Sequence, residues 1–85
     1  MPGPRKDAVQ IRFEILEYLY FSSQPQPRTH IWRKATTLSY DDFLKHLQHL
    51  AGKGLVTELD DGNCTITTDG RDIYDRLRNA LSSIL

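Results

Sequence analysis

The stretch "LSYDDFLKHLQHLAGKGL", Leu38 to Leu55, decides how the rest of the chain is read. Tyr40, Phe43, Leu44, Leu47, Leu50 and Ala51 recur at helical spacing on one side, leaving Asp41, Lys45, His46, Gln48 and His49 on the other. Ser39 is a helix-capping residue, and Asp42, three positions on, is placed to return the second bond of a capping box. Gly54 is suited to end the helix in a left-handed conformation. Asp41 and Asp42 sit at the entrance of this helix, where a phosphate backbone would repel them. Unpaired first-turn amides and the helix dipole favour negative charge there by about 0.3 to 1 kcal/mol each, so both are assigned to helix initiation. An aspartate in this place is also able to accept from the cytosine amino group, which would make it a selector of bases.

Upstream, Asp7 caps a first helix, with Gln10 three residues on. Ala8, Ile11, Ile15 and Leu19 form one apolar stripe, and Val9, Phe13, Leu16 and Tyr20 a second beside it. A helix this broadly apolar is expected to pack on two sides. "SSQPQP" stops it, because proline removes an amide donor and forces extended backbone before its ring, and the segment is assigned as a connector. A short helix follows at about Thr29 to Ala35, with Ile31, Trp32 and Ala35 inward and Arg28, Arg33 and Lys34 outward. "TTL" breaks it.

Downstream, "LVTEL" and "CTIT" are β-prone runs around "DDGN", a tight-turn signal, and together they predict a hairpin. Thr68 is positioned to cap a last helix carrying Ile73, Tyr74, Leu77, Leu81, Ile84 and Leu85. That helix has at most seventeen residues, about 25 Å, too short for a long coiled coil. "MPGPRK" has no apolar residue beyond Met1, so residues 1–6 are expected to be a disordered leader and residues 7–85 a single domain.

Helix, short helix, tight turn, longer helix, two-stranded hairpin and closing helix is the order of an α+β winged helix-turn-helix domain. In that arrangement the second helix braces the third, the third enters a major groove about 12 Å wide, and the hairpin reaches the flanking backbone. Arg28 to Leu77 resembles the archaeal winged-helix family of small, ten-kilodalton-class DNA-binding proteins and related transcription regulators. Thr29 and Ile31, Leu38-Ser39-Tyr40, Leu50 with Lys53-Gly54-Leu55, and Thr68 with Gly70-Arg71 stand in that family's order. The chain departs from it in the acidic pair after "LSY" and in Asp60 and Asp61 at the hairpin tip. The resemblance implies binding to double-stranded DNA through Ser39, Tyr40, Lys45, His46 and His49, with Arg28, Thr29, Arg33 and Lys34 on adjacent phosphates. It also implies a homodimer: the terminal apolar residues Leu77, Leu81, Ile84 and Leu85 are expected either to pack against the first helix or, the preferred reading, to be shared with a second copy.

Composition bounds these expectations. Eighty-five residues, 39% of them hydrophobic, suit one core. Eleven basic residues balance eleven acidic ones, which excludes a polybasic coat that binds nucleic acid by charge alone. The charge is unevenly spread: residues 1–27 are neutral, residues 28–53 carry +3 and all three histidines, and residues 54–85 carry −3. The lone Cys64 has no partner for an internal disulfide, and with no signal peptide or long apolar run the chain is expected to be cytoplasmic. Trp32 and Cys64 are expected in the core. His46 and His49, even with His30 or Cys64, lack a second ligand pair, so neither metal nor cofactor is expected. No phosphate-binding loop, nucleophile elbow or small-molecule pocket is suggested, and the chain is not expected to be an enzyme. If the histidines face DNA, affinity should rise as pH falls below about 6.5. The alternative function is a winged-helix module that docks on protein and does not bind DNA directly, favoured by the near-neutral charge and the acidic hairpin.

Overall fold

A computed structural model describes residues 6–84. Four helices and a three-stranded antiparallel sheet follow one another as α1 (Ala8–Tyr20), β1 (Gln26–Pro27), α2 (Arg28–Ala35), α3 (Tyr40–Gly52), β2 (Val56–Glu58), β3 (Asn63–Ile66) and α4 (Thr68–Ile84). This is the winged helix-turn-helix arrangement in the α+β class. Met1 to Arg5 of the expected leader lie outside the described residues, as does Leu85. Lys6, also assigned to the leader, joins the domain: its Nζ donates to both Glu14 carboxylate oxygens at 2.8 and 2.9 Å.

α1 begins where Asp7 Oδ1 accepts from the Gln10 amide at 2.8 Å. Its buried seam is Ile15, Leu16 and Leu19, flanked by half-buried Ile11, Phe13 and Tyr20, and it packs against α2, α3 and α4. One member of the expected second stripe does not follow: Val9 is 67% exposed.

The connector is not wholly irregular. Gln26 and Pro27 pair with Cys64 and Asn63, adding an edge strand in the order β1-β3-β2. Extended backbone before proline suits this position, and an edge is where a missing amide is tolerated. The edge strand runs directly into α2, so the start of α2 is fixed to the sheet.

The turn from α2 to α3 is held by two side chains. Trp32 Nε1 donates to the Leu38 carbonyl at 2.6 Å, and Thr36 Oγ1 donates to the Trp32 carbonyl at 2.8 Å. Trp32 is accordingly half-buried, packing below while its ring nitrogen closes the turn. At the other end of α3, Gly54 has φ +75°; its amide bonds the Ala51 carbonyl and the Leu55 amide the Leu50 carbonyl, both at 3.0 Å. These paired bonds are the Schellman termination, which requires the left-handed glycine.

β2 and β3 pair as Val56 with Ile66, Thr57 with Thr65 and Glu58 with Cys64. Gly62, at φ +86°, closes their connection, and Asp61 Oδ1 accepts from the Asn63 amide at 3.0 Å. Cys64 is buried in β3, and burial pushes its thiol pKa up. The cap of α4 is Thr67 and not Thr68: Thr67 Oγ1 accepts from the Gly70 amide at 3.0 Å while donating to the Gly54 carbonyl at 2.7 Å. One hydroxyl thereby ties the end of α3 to the start of α4.

The core gathers Ile15, Leu16, Leu19, Ile31, Phe43, Leu47, Leu50, Val56, Cys64, Ile66 and Tyr74. Ala51, expected on the buried side of α3, is exposed, because it stands about 100° round the helix from Leu50, at the margin of the stripe made by Phe43, Leu47 and Leu50.

Candidate nucleic-acid interface

Phe43, Leu47 and Leu50 turn inward from α3, so the opposite side is fixed by helical geometry. Asp41, Lys45, Gln48, His49 and Gly52 are all exposed there. Among the described residues Asp41, Lys45, Gln48 and Gly52 stand clear of the other elements, while His49 also borders a groove with Arg12 and Phe13 of α1. This side therefore has the access that a groove-entering helix needs, with Lys45 as its central cation.

The acidic entrance is organised as a helix start. Ser39 Oγ accepts from the Asp42 amide at 3.3 Å, but the return bond of a full capping box is not made. The Asp42 carboxylate instead lies 3.9 Å from Lys45 Nζ, an exposed i,i+3 pair of little energetic weight. Tyr40 is half-buried, its ring edge-on to Trp32 at 5.3 Å and tilted against Phe43 at 5.9 Å. It packs the turn.

The two histidines differ in placement. His49 is exposed on α3, whereas His46 is half-buried and turned toward α1, where its Nδ1 accepts from Arg12 Nε at 3.3 Å. This corrects the expectation that His46 projects away from the core with Lys45. Burial, and next the Arg12 guanidinium, pull the His46 pKa below 6.5, against a weaker upward pull from Asp42. His49 shifts in the same direction through desolvation, then Arg12 and Lys53. Protonation therefore comes at lower pH than an isolated imidazole would give. Arg12 was legible only as one charge of a neutral segment, since its partner lies 34 residues away.

The cations of α2 fall into two groups. Thr29 is exposed beside Arg28 at the start of the helix, and Arg28 Nη2 donates to Glu58 Oε1 of the hairpin. That carboxylate raises the guanidinium pKa still further. Arg33 and Lys34 lie in the last turn, along an open groove shared with Glu14, Glu17 and Phe21 of the α1 region. The structure thus does not bring all the candidate cations to one patch: Lys45 and His49 share the open side of α3, Arg28 and Thr29 lie beside the hairpin, and Arg33 and Lys34 border α1. The hairpin tip presents Leu59, Asp60 and Asp61, all exposed.

α4 carries the other exposed surface. Tyr74 is buried, its hydroxyl donating to Glu17 at 2.7 Å, and desolvation followed by that carboxylate pushes its pKa up to about 12. Beyond it Leu77, Leu81 and Ile84 are 39%, 50% and 79% exposed. Among the described residues no three of His, Cys, Asp and Glu cluster as a metal site, and no helix is long and apolar enough to cross a membrane.

A winged helix-turn-helix family model matches residues 5–84, and the chain belongs to that family. Its domains bind DNA as their general activity and are typically not enzymes. Comparison with curated proteins and with solved structures gives no significant match.

Proposed function

We propose that this chain is a small cytoplasmic transcription regulator or architectural protein, of archaeal type, that binds duplex DNA as a homodimer. The observation that carries this reading is the exposed side of α3, with Lys45 at its centre and His49 a turn further on. Ser39 and Tyr40 stand at the entering end, and Arg28 and Thr29 lie beside the hairpin. Arg33 and Lys34 reach phosphates only where the duplex passes the far end of α2, and His46 contributes only once it leaves Arg12. Each phosphate neutralised releases condensed counterions, so log affinity should fall linearly with log salt by about 0.9 per contact.

An anisotropy titration on mixed-sequence duplex at low salt tests this. Saturable binding with a dissociation constant of about 1 to 100 micromolar is expected. Lys45→Ala should weaken binding several-fold on every sequence and reduce the salt slope by about 1 if Lys45 contacts a phosphate. Arg33→Ala with Lys34→Ala should do less than Lys45→Ala, and the opposite ranking would move the duplex to the α1–α2 side. The second reading, a protein-docking module, is favoured by the acidic hairpin tip and by the exposed apolar residues of α4. Absence of saturable binding would select it.

A further inference from the structure

Arg28 and Glu58 form the one ion pair, among the described residues, that joins the helix-turn-helix to the hairpin. Their meeting follows from the sheet. The registers Gln26 with Cys64 and Glu58 with Cys64 set β1 and β2 on either side of β3. Arg28, two residues beyond Gln26, then reaches across the end of β3 to the Glu58 carboxylate. Neither group belongs to the core: their side chains are 38% and 46% exposed.

A guanidinium offers the same donor fork to a carboxylate and to a phosphate. Glu58 therefore occupies the ligand position of Arg28 that a DNA phosphate would take. We propose that Glu58 is an internal competitor for the DNA backbone, a carboxylate that holds Arg28 on the hairpin until a phosphate displaces it. This rests on the DNA-binding reading above and adds a residue that sets its strength. An exposed pair is weak enough to exchange, so the competition lowers affinity without abolishing it. Asp60 and Asp61 stand on the same hairpin, but Asp61 is engaged with Asn63 and neither bonds Arg28. Loss of either charge changes the field felt by DNA without freeing a cation.

That distinction gives the test. The wild-type chain, Glu58→Gln, Asp60→Asn, Arg28→Gln and the Arg28→Gln/Glu58→Gln double variant are titrated against one mixed-sequence duplex at fixed low salt. Glu58→Gln should tighten binding by about two- to five-fold more than Asp60→Asn, the range an exposed ion pair allows. In the Arg28→Gln background this excess should vanish, leaving Glu58→Gln no stronger than Asp60→Asn. Equal effects of Glu58→Gln and Asp60→Asn in wild type, or an excess that survives without Arg28, would overturn the competitor while leaving DNA binding intact. If no variant binds duplex, the DNA-binding reading and the competitor fall together. All three side chains, Arg28, Glu58 and Asp60, are partly or fully exposed, so the apolar core is the same throughout.

Discussion

α3 and α4 both carry a stripe of large apolar residues, yet they use it oppositely. In α3 the stripe of Phe43, Leu47 and Leu50 is sealed between α1 and the sheet, with no more than 6% exposure at any of the three. In α4 the first turns are held by Gly70 and Tyr74, whereas exposure rises along the rest of the helix, from 39% at Leu77 through 50% at Leu81 to 79% at Ile84. The contrast shows that apolar spacing creates a face but not its partner. For α3 the chain supplies the partner on both sides; for α4 it supplies one for about half the helix.

Phe43→Ala should break the sealed side most severely. Its side chain is 0% exposed, and the cavity left behind should cost about 3 to 5 kcal/mol, read as a shift in the denaturant midpoint. In an 85-residue domain, a loss of that size consumes much of the stability typical of folded proteins. Leu81→Ala, by contrast, should cost only about 1 kcal/mol, because half of its side chain is already exposed beside the groove of Phe13, Phe21 and Tyr74.

Glycines sharpen the comparison next. A Cβ at Gly70 would lie 2.2 Å from the Leu55 carbonyl oxygen and 2.7 Å from Ile66 Cγ1, and a backbone atom cannot step aside as a flexible side chain can. Gly70→Ala should therefore destabilise by about 1 to 3 kcal/mol despite alanine's better helix propensity. Gly52→Ala in the last turn of α3 meets nothing within 4 Å, so the same substitution there should stabilise, by up to about 1 kcal/mol. Equal signs in thermal or denaturant melts would show that α4 does not dock at Gly70.

The open half of α4 is tested by mass. With the homodimer proposed above seated on this face, Leu81→Glu should convert a two-chain species to a single chain of 9.8 kDa in sedimentation, leaving the circular-dichroism spectrum unchanged. A mutant that stays dimeric would move the interface elsewhere.

The smallest effect is expected from the histidines flanking α3. Since their folded pKa values lie below 6.5, the unfolded chain takes up protons first as pH falls. Stability is thus fully retained above about 6.5, declines as pH falls from there through the lowered folded values, and levels off below them. His46→Gln should make the midpoint less dependent on pH over that window. Any gain in DNA affinity on acidification should likewise begin lower than an unperturbed imidazole would give, because a protonated His46 must first give up the bond from Arg12.

Much of this architecture was legible because its signals are local. Ser39 and Asp7 announce helix starts, Gly54 and Gly62 require left-handed backbone, and the spacing from Phe43 to Leu50 is that of a buried helical stripe. The misplaced features share a different cause. Thr67 and Thr68 are equivalent as capping residues in sequence, and what selects Thr67 is the Gly54 carbonyl, brought beside it by the hairpin. β1 is only two residues long and exists because β3 is there to pair with it. His46 lies about 100° round the helix from Lys45, on the flank of the buried stripe, and only the fold shows that Arg12 of α1 is what it meets there.

By itself, then, the sequence determined the number and order of the helices, most of the residues that face the core, and that the fold is a winged helix-turn-helix, since propensity, capping and periodicity act over a few neighbouring residues. Only the tertiary structure decided which charges are committed to one another. Arg28 with Glu58 and Arg12 with His46 are separated by 30 and 34 residues, and nothing local encodes their approach. The same packing decided that, among the described residues, exposure rises along the apolar side of α4 from Leu77 to Ile84, because Tyr74 is the last side chain of that helix to enter the core.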